Sequence, residues 1–271
     1  MQNTLEHMGE AYDRIADLYD IQWSQHVSRP QRRLTDGLDL QAGSRCADLG
    51  CGTGVDTLDM ARLVAPGEVV AIDCSQAMLE AAVRRADAAG LRLTTSCEGA
   101  EEFIESAEPG SFDVITLRFC LGYFDWRRVL ARLPRLLRPD GRIGILTILA
   151  GSAPQAYSTY QQMVEDLGLP DVGLTALDTV EQIEAELTHA GAAISEAWVE
   201  EFRLGFGSGP ELAAWLRTSG IATAKGLPRV SSDLLDLLWA SFGKRVETHR
   251  DGEIVPLDFR IAGVIAQLSA T

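Results

Sequence analysis

No stretch of this chain approaches the about 18 uninterrupted apolar residues of a membrane-spanning helix. Its first residues, M-Q-N-T-L-E-H, carry neither a basic region nor an apolar signal core. The expectation is a cytoplasmic protein with no membrane partner. Basic runs are missing too: 24 Lys and Arg stand against 39 Asp and Glu, a formal net charge of -15, so nucleic acid is repelled at long range. Neither C-x-x-C nor H-x-x-x-H occurs, which removes the usual zinc spacings, and no metal site is expected. Five cysteines, an odd number with no export signal, are expected to remain thiols. Cys51, Cys74, Cys97 and Cys120 recur every 23 residues because each falls near the end of a strand in a repeating strand-plus-helix unit. Beyond those units there is no internal repeat and no low-complexity tract.

What is present centres on C-A-D-L-G-C-G-T-G, from Cys46 to Gly54. Gly50, Gly52 and Gly54 strip side chains from a strand-to-helix turn, so a ligand can lie against bare backbone beside a helix N-terminus. The following strand, V-V-A-I-D, ends at Asp73, where nucleotide-binding α/β folds place a carboxylate for the ribose hydroxyls, about 20 residues after the glycines. The turn has Val55 next, giving G-x-G-x-G rather than the dinucleotide G-x-G-x-x-G, and G-x-x-x-x-G-K-[ST] is absent. A pyrophosphate cradle and a P-loop are therefore both unsupported.

D-L-G-C-G-T-G followed by V-V-A-I-D-C-S-Q-A-M-L resembles the class I S-adenosylmethionine-dependent methyltransferases. The resemblance implies a Rossmann-like α/β fold: a seven-stranded, mostly parallel sheet with helices on both faces, a helical lid at the N-terminus and a helical cap between the last two strands. Alternation of β-branched runs and amphipathic stretches from about 44 to 150 agrees with parallel βαβ units. Strands are expected at 45–49, 68–73, 92–97, 112–117 and 142–148, with Arg138-Pro139-Asp140-Gly141 ending the last helix and turning into the fifth. Residues 5–40 read as two helices. One helical stretch is expected at 157–167 and another from Val180 to His189. Strand six is expected at 193–206, helix over 209–247 and a closing strand at 257–265. The division expected is 1–40 lid, 41–150 cofactor core, 151–208 insertion with helix and strand six, 209–252 cap, and 253–271 closing strand.

The same resemblance implies S-adenosylmethionine as cofactor and S-adenosylhomocysteine as product. Gly50, Cys51 and Gly52 would lie against its methionine and ribose, with Asp48 holding the amino end through the turn or a water. Asp73 would take the ribose hydroxyls, and Cys74 and Met78 would flank adenine, although helix core is an equal reading of Met78. Glu98-Gly99-Ala100-Glu101 stands where the family usually has G-D-A-E, with glycine in the aspartate's place. Either Glu98 or Glu101 substitutes, or the Ala100 backbone alone reads the base. Leu117, Arg118 and Phe119, ending F-D-V-I-T-L-R-F, would face the transferred methyl.

Tyr12, Tyr19, Tyr123, Trp215, Arg118 and Arg217 are the candidates for the pocket wall, Tyr19 and Arg118 on the cofactor side. Either arginine is a possible partner for a carboxylate or phosphate, or else a solvated one. His7, His26, His189 and His249 are dispersed without a paired carboxylate, so no catalytic base is assigned. The C-terminal third, from F-G-S-G-P-E-L-A-A-W-L-R onward, is similar to malonyl-carrier-protein O-methyltransferases and secondary-metabolite methyltransferases. A-Y-D-R-I-A-D-L-Y-D is shared with quinone C-methyltransferases. The expected acceptor is thus a small or carrier-tethered molecule, oxygen ahead of carbon, acted on by a monomer or homodimer. The alternatives are non-methylative use of the bound sulfonium, as in a cyclisation, and an oxidoreductase or pure binding module.

Overall fold

A computed structural model describes residues 2–20, 23, 25–168, 177–220 and 232–268. Three helices come first, α1 (Gln2–Asp13), α2 (Ala16–Tyr19) and α3 (Gln25–Gly37), where the sequence pattern suggested two. Then β1 (Arg45–Leu49), α4 (Val55–Val64), β2 (Glu68–Asp73), α5 (Gln76–Ala88), β3 (Thr94–Cys97), α6 (Ala100–Ser106), β4 (Phe112–Arg118), α7 (Trp126–Arg132) and β5 (Leu137–Ile148) follow in strict alternation. The chain continues through α8 (Pro154–Asp166), α9 (Val180–His189), β6 (Ala192–Phe206), α10 (Gly209–Thr218), α11 (Ser232–Val246) and β7 (Val255–Leu268). The helix expected across 209–247 includes residues 221–231, which lie outside the described residues.

The seven strands lie in the order β3-β2-β1-β4-β5-β7-β6, all parallel except β7, which runs antiparallel to both neighbours. Strand order reverses between β1 and β4, so the chain leaves these two strands in opposite directions and opens a crevice beyond their C-terminal ends. Period-two alternation supplies two cores. Ala47, Leu49, Ile115 and Leu117 face α6, α7 and α9, while Cys46 and Val114 face α3 and α4. On this second face Asp48, Thr116 and Arg118 interrupt the apolar run, and all three are buried.

Strand five begins at Leu137 rather than 142, because Leu137 already pairs with Phe112 before the chain bulges. Asp140 takes φ 63° there, and Pro139 has no N–H to offer the ladder. The N-terminal helices are fastened to the sheet's C-terminal rim. Gly9 in α1 comes so near that a Cβ would sit 2.6 Å from the Cys74 carbonyl oxygen. Asp13 Oδ1 accepts the Ser75 hydroxyl at 2.5 Å and the Ala77 N–H at 3.1 Å. Asp20 accepts the Thr53 hydroxyl at 2.5 Å and pairs with Arg85.

Strands six and seven outrun the rest of the sheet and carry aromatics outward. Phe206 and Phe259 there meet Trp215 of α10, and Trp23 lies 5.5 Å from Phe259 and 6.1 Å from Trp215 between ring centroids. This aromatic cluster packs α10 against the strand extension and against Trp23.

Candidate active site

The glycine turn joins β1 to α4 with φ of 72° at Gly50, 54° at Gly52 and 78° at Gly54. At Gly52 the positive φ favours glycine, and nothing but the Tyr19 ring comes within 4 Å of where a Cβ would be. The backbone there is bare and faces open space. Asp73 ends β2 beside it: its Oδ2 accepts the Gly52 N–H at 2.8 Å and its Oδ1 accepts the Ser75 N–H at 2.9 Å. Burial pushes this carboxyl up to about 6, against the downward pull of those two N–H bonds.

These residues line a cleft of about 590 Å³, counting its open mouth. Tyr12, Tyr19, Gly50, Gly52, Asp73, Cys74, Met78, Gly99, Ala100, Arg118, Phe119 and Tyr123 all reach it. Cys51 and Asp48 line a smaller recess next to it, with Gly50, Gly52 and Tyr19 in common. Met8, Cys120 and Phe124 line the cleft as well and were not singled out from sequence. Cys120 stands two residues past the end of β4, at the rim where sheet geometry places ligands, and Met8 stands one helical turn before Tyr12. Glu98 also lines it and accepts the Ser96 hydroxyl.

A second cavity of about 530 Å³, again counting its open mouth, adjoins the first. Tyr12, Tyr19, Phe119 and Tyr123 belong to both walls, and Trp23, Gly122, Thr147, Ile148, Ser219 and Gly220 complete it. Tyr12 Oη lies 2.7 Å from Tyr123 Oη, and the rings of Tyr12 and Tyr19 meet edge-on at 6.1 Å. Phe119 sits at φ 58°, an uncommon backbone state for a bulky side chain, at the seam of the two spaces. Burial raises the phenols of Tyr12, Tyr19 and Tyr123, and the thiols of Cys51 and Cys120; the Cys74 thiol is pushed up to about 12 by the same cause.

Arg118 lines the cleft, but its guanidinium is engaged within the protein. The guanidinium turns into the protein, where Nη1 donates to Asp48 Oδ1 at 3.2 Å, and Asp48 also accepts the Thr57 and Thr116 hydroxyls at 2.6 Å each. The reason is the face: Asp48, Thr116 and Arg118 are all on the α4 side of adjacent strands, so each buried polar group finds its partner there. Asp48 is accordingly engaged on this face, with Arg118, Thr116 and Thr57 as its partners.

Three other sequence candidates stay apart from both cavities. Trp215 is buried with Trp23, Phe206 and Phe259, because its helix faces the extension of β6 and β7. Arg217, two residues on, pairs with Asp236 of α11 at 2.6 Å near the surface. Glu101 is in the first turn of α6 beside the buried Ala100, which takes the inward position. Among the described residues no group of acidic, histidine or cysteine side chains could hold a metal ion, and no helix is long and apolar enough to cross a membrane.

Residues 46–141 match the methyltransferase domain family. The nocamycin O-methyltransferase of Saccharothrix syringae is 38% identical over 140 residues, 49% of this chain and 48% of that protein. The match thus spans about half of this relative. The 27-O-demethylrifamycin SV methyltransferase of Amycolatopsis mediterranei (strain S699) is 28% identical over 69% of this chain and 74% of that one. In structure, the [4+2]-cyclase SpnF superposes with a TM-score of 0.65 over 98% of this chain and 97% of its own, at 21% identity, which bears on fold alone. With the glycine turn, the strand-end Asp73 and the seven-stranded order in place, residues 46–141 carry the match to the methyltransferase domain, and the chain is similar in sequence to S-adenosylmethionine-dependent small-molecule methyltransferases.

Proposed function

We propose that the protein moves a methyl group from S-adenosylmethionine to an oxygen of a small organic acceptor, of the kind made in bacterial secondary metabolism. The observation that carries this reading is the pair of adjoining cavities. One has the bare glycine backbone and Asp73, the other an aromatic wall, and they share Tyr12, Tyr19, Phe119 and Tyr123. An oxygen acceptor is favoured because both relatives named above act, by name, as O-methyltransferase or at a position designated 27-O.

The residues of the first cavity fit an adenosyl sulfonium. The Asp73 carboxylate already accepts the Gly52 and Ser75 N–H groups, and its remaining lone pairs would meet the ribose hydroxyls. Gly50 and Gly52 present backbone to the methionine part. Met8 and Met78 supply polarizable apolar walls for the base, and Glu98 stands at its edge in place of the aspartate that Gly99 lacks. When bound, this cofactor supplies an electrophilic methyl carbon on a positively charged sulfur. The chain's part is to align the acceptor and exclude water, worth up to roughly 7–11 kcal/mol in favourable cases. In this reading residues 1–40 act as a lid and 209–252 as a cap over the acceptor side.

Calorimetric titration with S-adenosylmethionine, S-adenosylhomocysteine and NAD tests the reading, with Asp73→Ala as control. Micromolar binding of both sulfur compounds, lost in the variant and absent for NAD, is expected. No binding of either sulfur compound rejects it. Product mass then separates methylation from cyclisation, and the site of the new methyl separates oxygen from carbon.

A further inference from the structure

Among the described residues, the wall of the second cavity holds no group able to take a proton at neutral pH. Its described lining has no carboxylate, imidazole, lysine or arginine; apart from Thr147 and Ser219, its polar side chains are tyrosines. The carboxylates that line the neighbouring cleft, Asp73 and Glu98, are not part of this wall. An ordinary alcohol bound here would keep its proton and remain a poor nucleophile.

Tyr12 and Tyr123 occupy the wall common to both spaces, and their hydroxyl oxygens are 2.7 Å apart. Two hydroxyls carry two protons, and one of these makes the bond between them. When Tyr12 donates to Tyr123, the Tyr123 proton has no acceptor among the described residues. The other arrangement sends the Tyr12 proton to the Gly220 carbonyl at 3.4 Å, which is long for such a bond. Burial holds both phenols protonated, so the pair donates and does not act as a base.

We propose that the acceptor is an oxygen acid that enters already ionised, an enol, phenol or carboxylic acid on a largely apolar body, and that the Tyr12–Tyr123 hydroxyl pair positions its oxyanion beside the cofactor cleft. This rests on the methyltransfer reading above. The balance needs no enzyme base: the oxyanion's lone pair forms the new O–C bond, the C–S bond breaks, and its electron pair stays on sulfur as the neutral thioether. A bound sulfonium would supply the cation for the oxyanion, so the anionic acceptor would be held more tightly before transfer than after it.

The probe is para-nitrophenol, whose phenolate absorbs visible light. Its ionisation is followed by absorbance in protein loaded with sinefungin, a cationic analogue that does not transfer methyl, and in protein loaded with S-adenosylhomocysteine. Expected is a bound ionisation point at least one pH unit below that of free nitrophenol with sinefungin, which is tenfold or more in preference for phenolate. A smaller shift is expected with S-adenosylhomocysteine. Tyr123→Phe should reduce the sinefungin shift by half or more while keeping the ring, and Tyr12→Phe tests the pair from its other side should the first variant not fold. An unchanged or raised ionisation point overturns the proposal, as does an undiminished shift in a folded Phe variant or absence of nitrophenol binding. Failure to bind sinefungin in calorimetry would instead reject the methyltransferase reading itself.

Discussion

Arg118 Nη1 stands 3.2 Å from Asp48 Oδ1, and both side chains are almost wholly excluded from water, at 5% and 3% exposure. The pair joins β1 to β4 directly beneath the crevice where the sheet order reverses. Thr57, Thr116 and Thr35 supply further hydrogen bonds around it, while Arg118 Nε is left without a partner. A buried ion pair of this kind returns little net stability over an apolar substitute, but removal of one member strands the other.

Arg118→Met is therefore expected to destabilise by about 3–5 kcal/mol in urea unfolding. The double variant Arg118→Met with Asp48→Asn should lose less than the sum of the two single losses. Additive losses would show that the pair acts as two independent groups.

Asp73 carries a pH signature. Its carboxyl is raised from 3.8 to about 6 in the folded protein by burial. Between those values the folded state binds more protons than the unfolded one, so stability falls as pH rises through this window and levels off above it. Asp73→Asn should remove that share of the fall, on the order of a few kcal/mol. Urea unfolding at pH 4 to 7 of both proteins measures it, and parallel curves would mean that Asp73 titrates normally. Burial also raises Asp56 to about 6, so the wild-type curve retains a remainder in the variant.

Asp13 links α1 to the start of α5 through the Ser75 hydroxyl and the Ala77 N–H. Asp13→Ala should reduce global stability by only about 1 kcal/mol, since the site is near the surface. Amide exchange in α1 should rise much more, and affinity for S-adenosylmethionine should weaken, because Met8 and Tyr12 lose their anchorage. Unchanged exchange in α1 would count against a hinged lid.

Trp215→Ala should cost about 3–5 kcal/mol through the cavity left among Trp23, Phe206 and Phe259. Cofactor affinity measured by calorimetry should change little, since Trp215 lines neither cavity and backs only the Trp23 side of the second. A large loss of affinity in a folded variant would return Trp215 to the site.

The parallel core was legible in the sequence because its signals are local. The glycines from 50 to 54, the apolar run ending at Asp73 and the strand ending at Arg118 each report backbone geometry over a few residues. Helix ends at His189 and Gly191, and the antiparallel closing strand, followed from punctuation and family order. Boundaries slipped where pairing crossed a bulge, as at Leu137, or where a short turn split a helical pattern, as between α1 and α2.

Side-chain direction was not legible in the same way. A residue at a strand end can face ligand or core, and one step of register or a partner on another strand decides which. The sequence by itself determined the alternation of strands and helices, the bare turn over Gly52 and a carboxylate at the end of β2, because these depend on backbone conformation and period. Only the tertiary structure turned Arg118 inward onto Asp48, withdrew Trp215 and Arg217 from the site, and brought Tyr12 against Tyr123 across 111 positions of sequence. Those outcomes follow from long-range packing and from the need of each buried polar group for a partner, which no local pattern encodes.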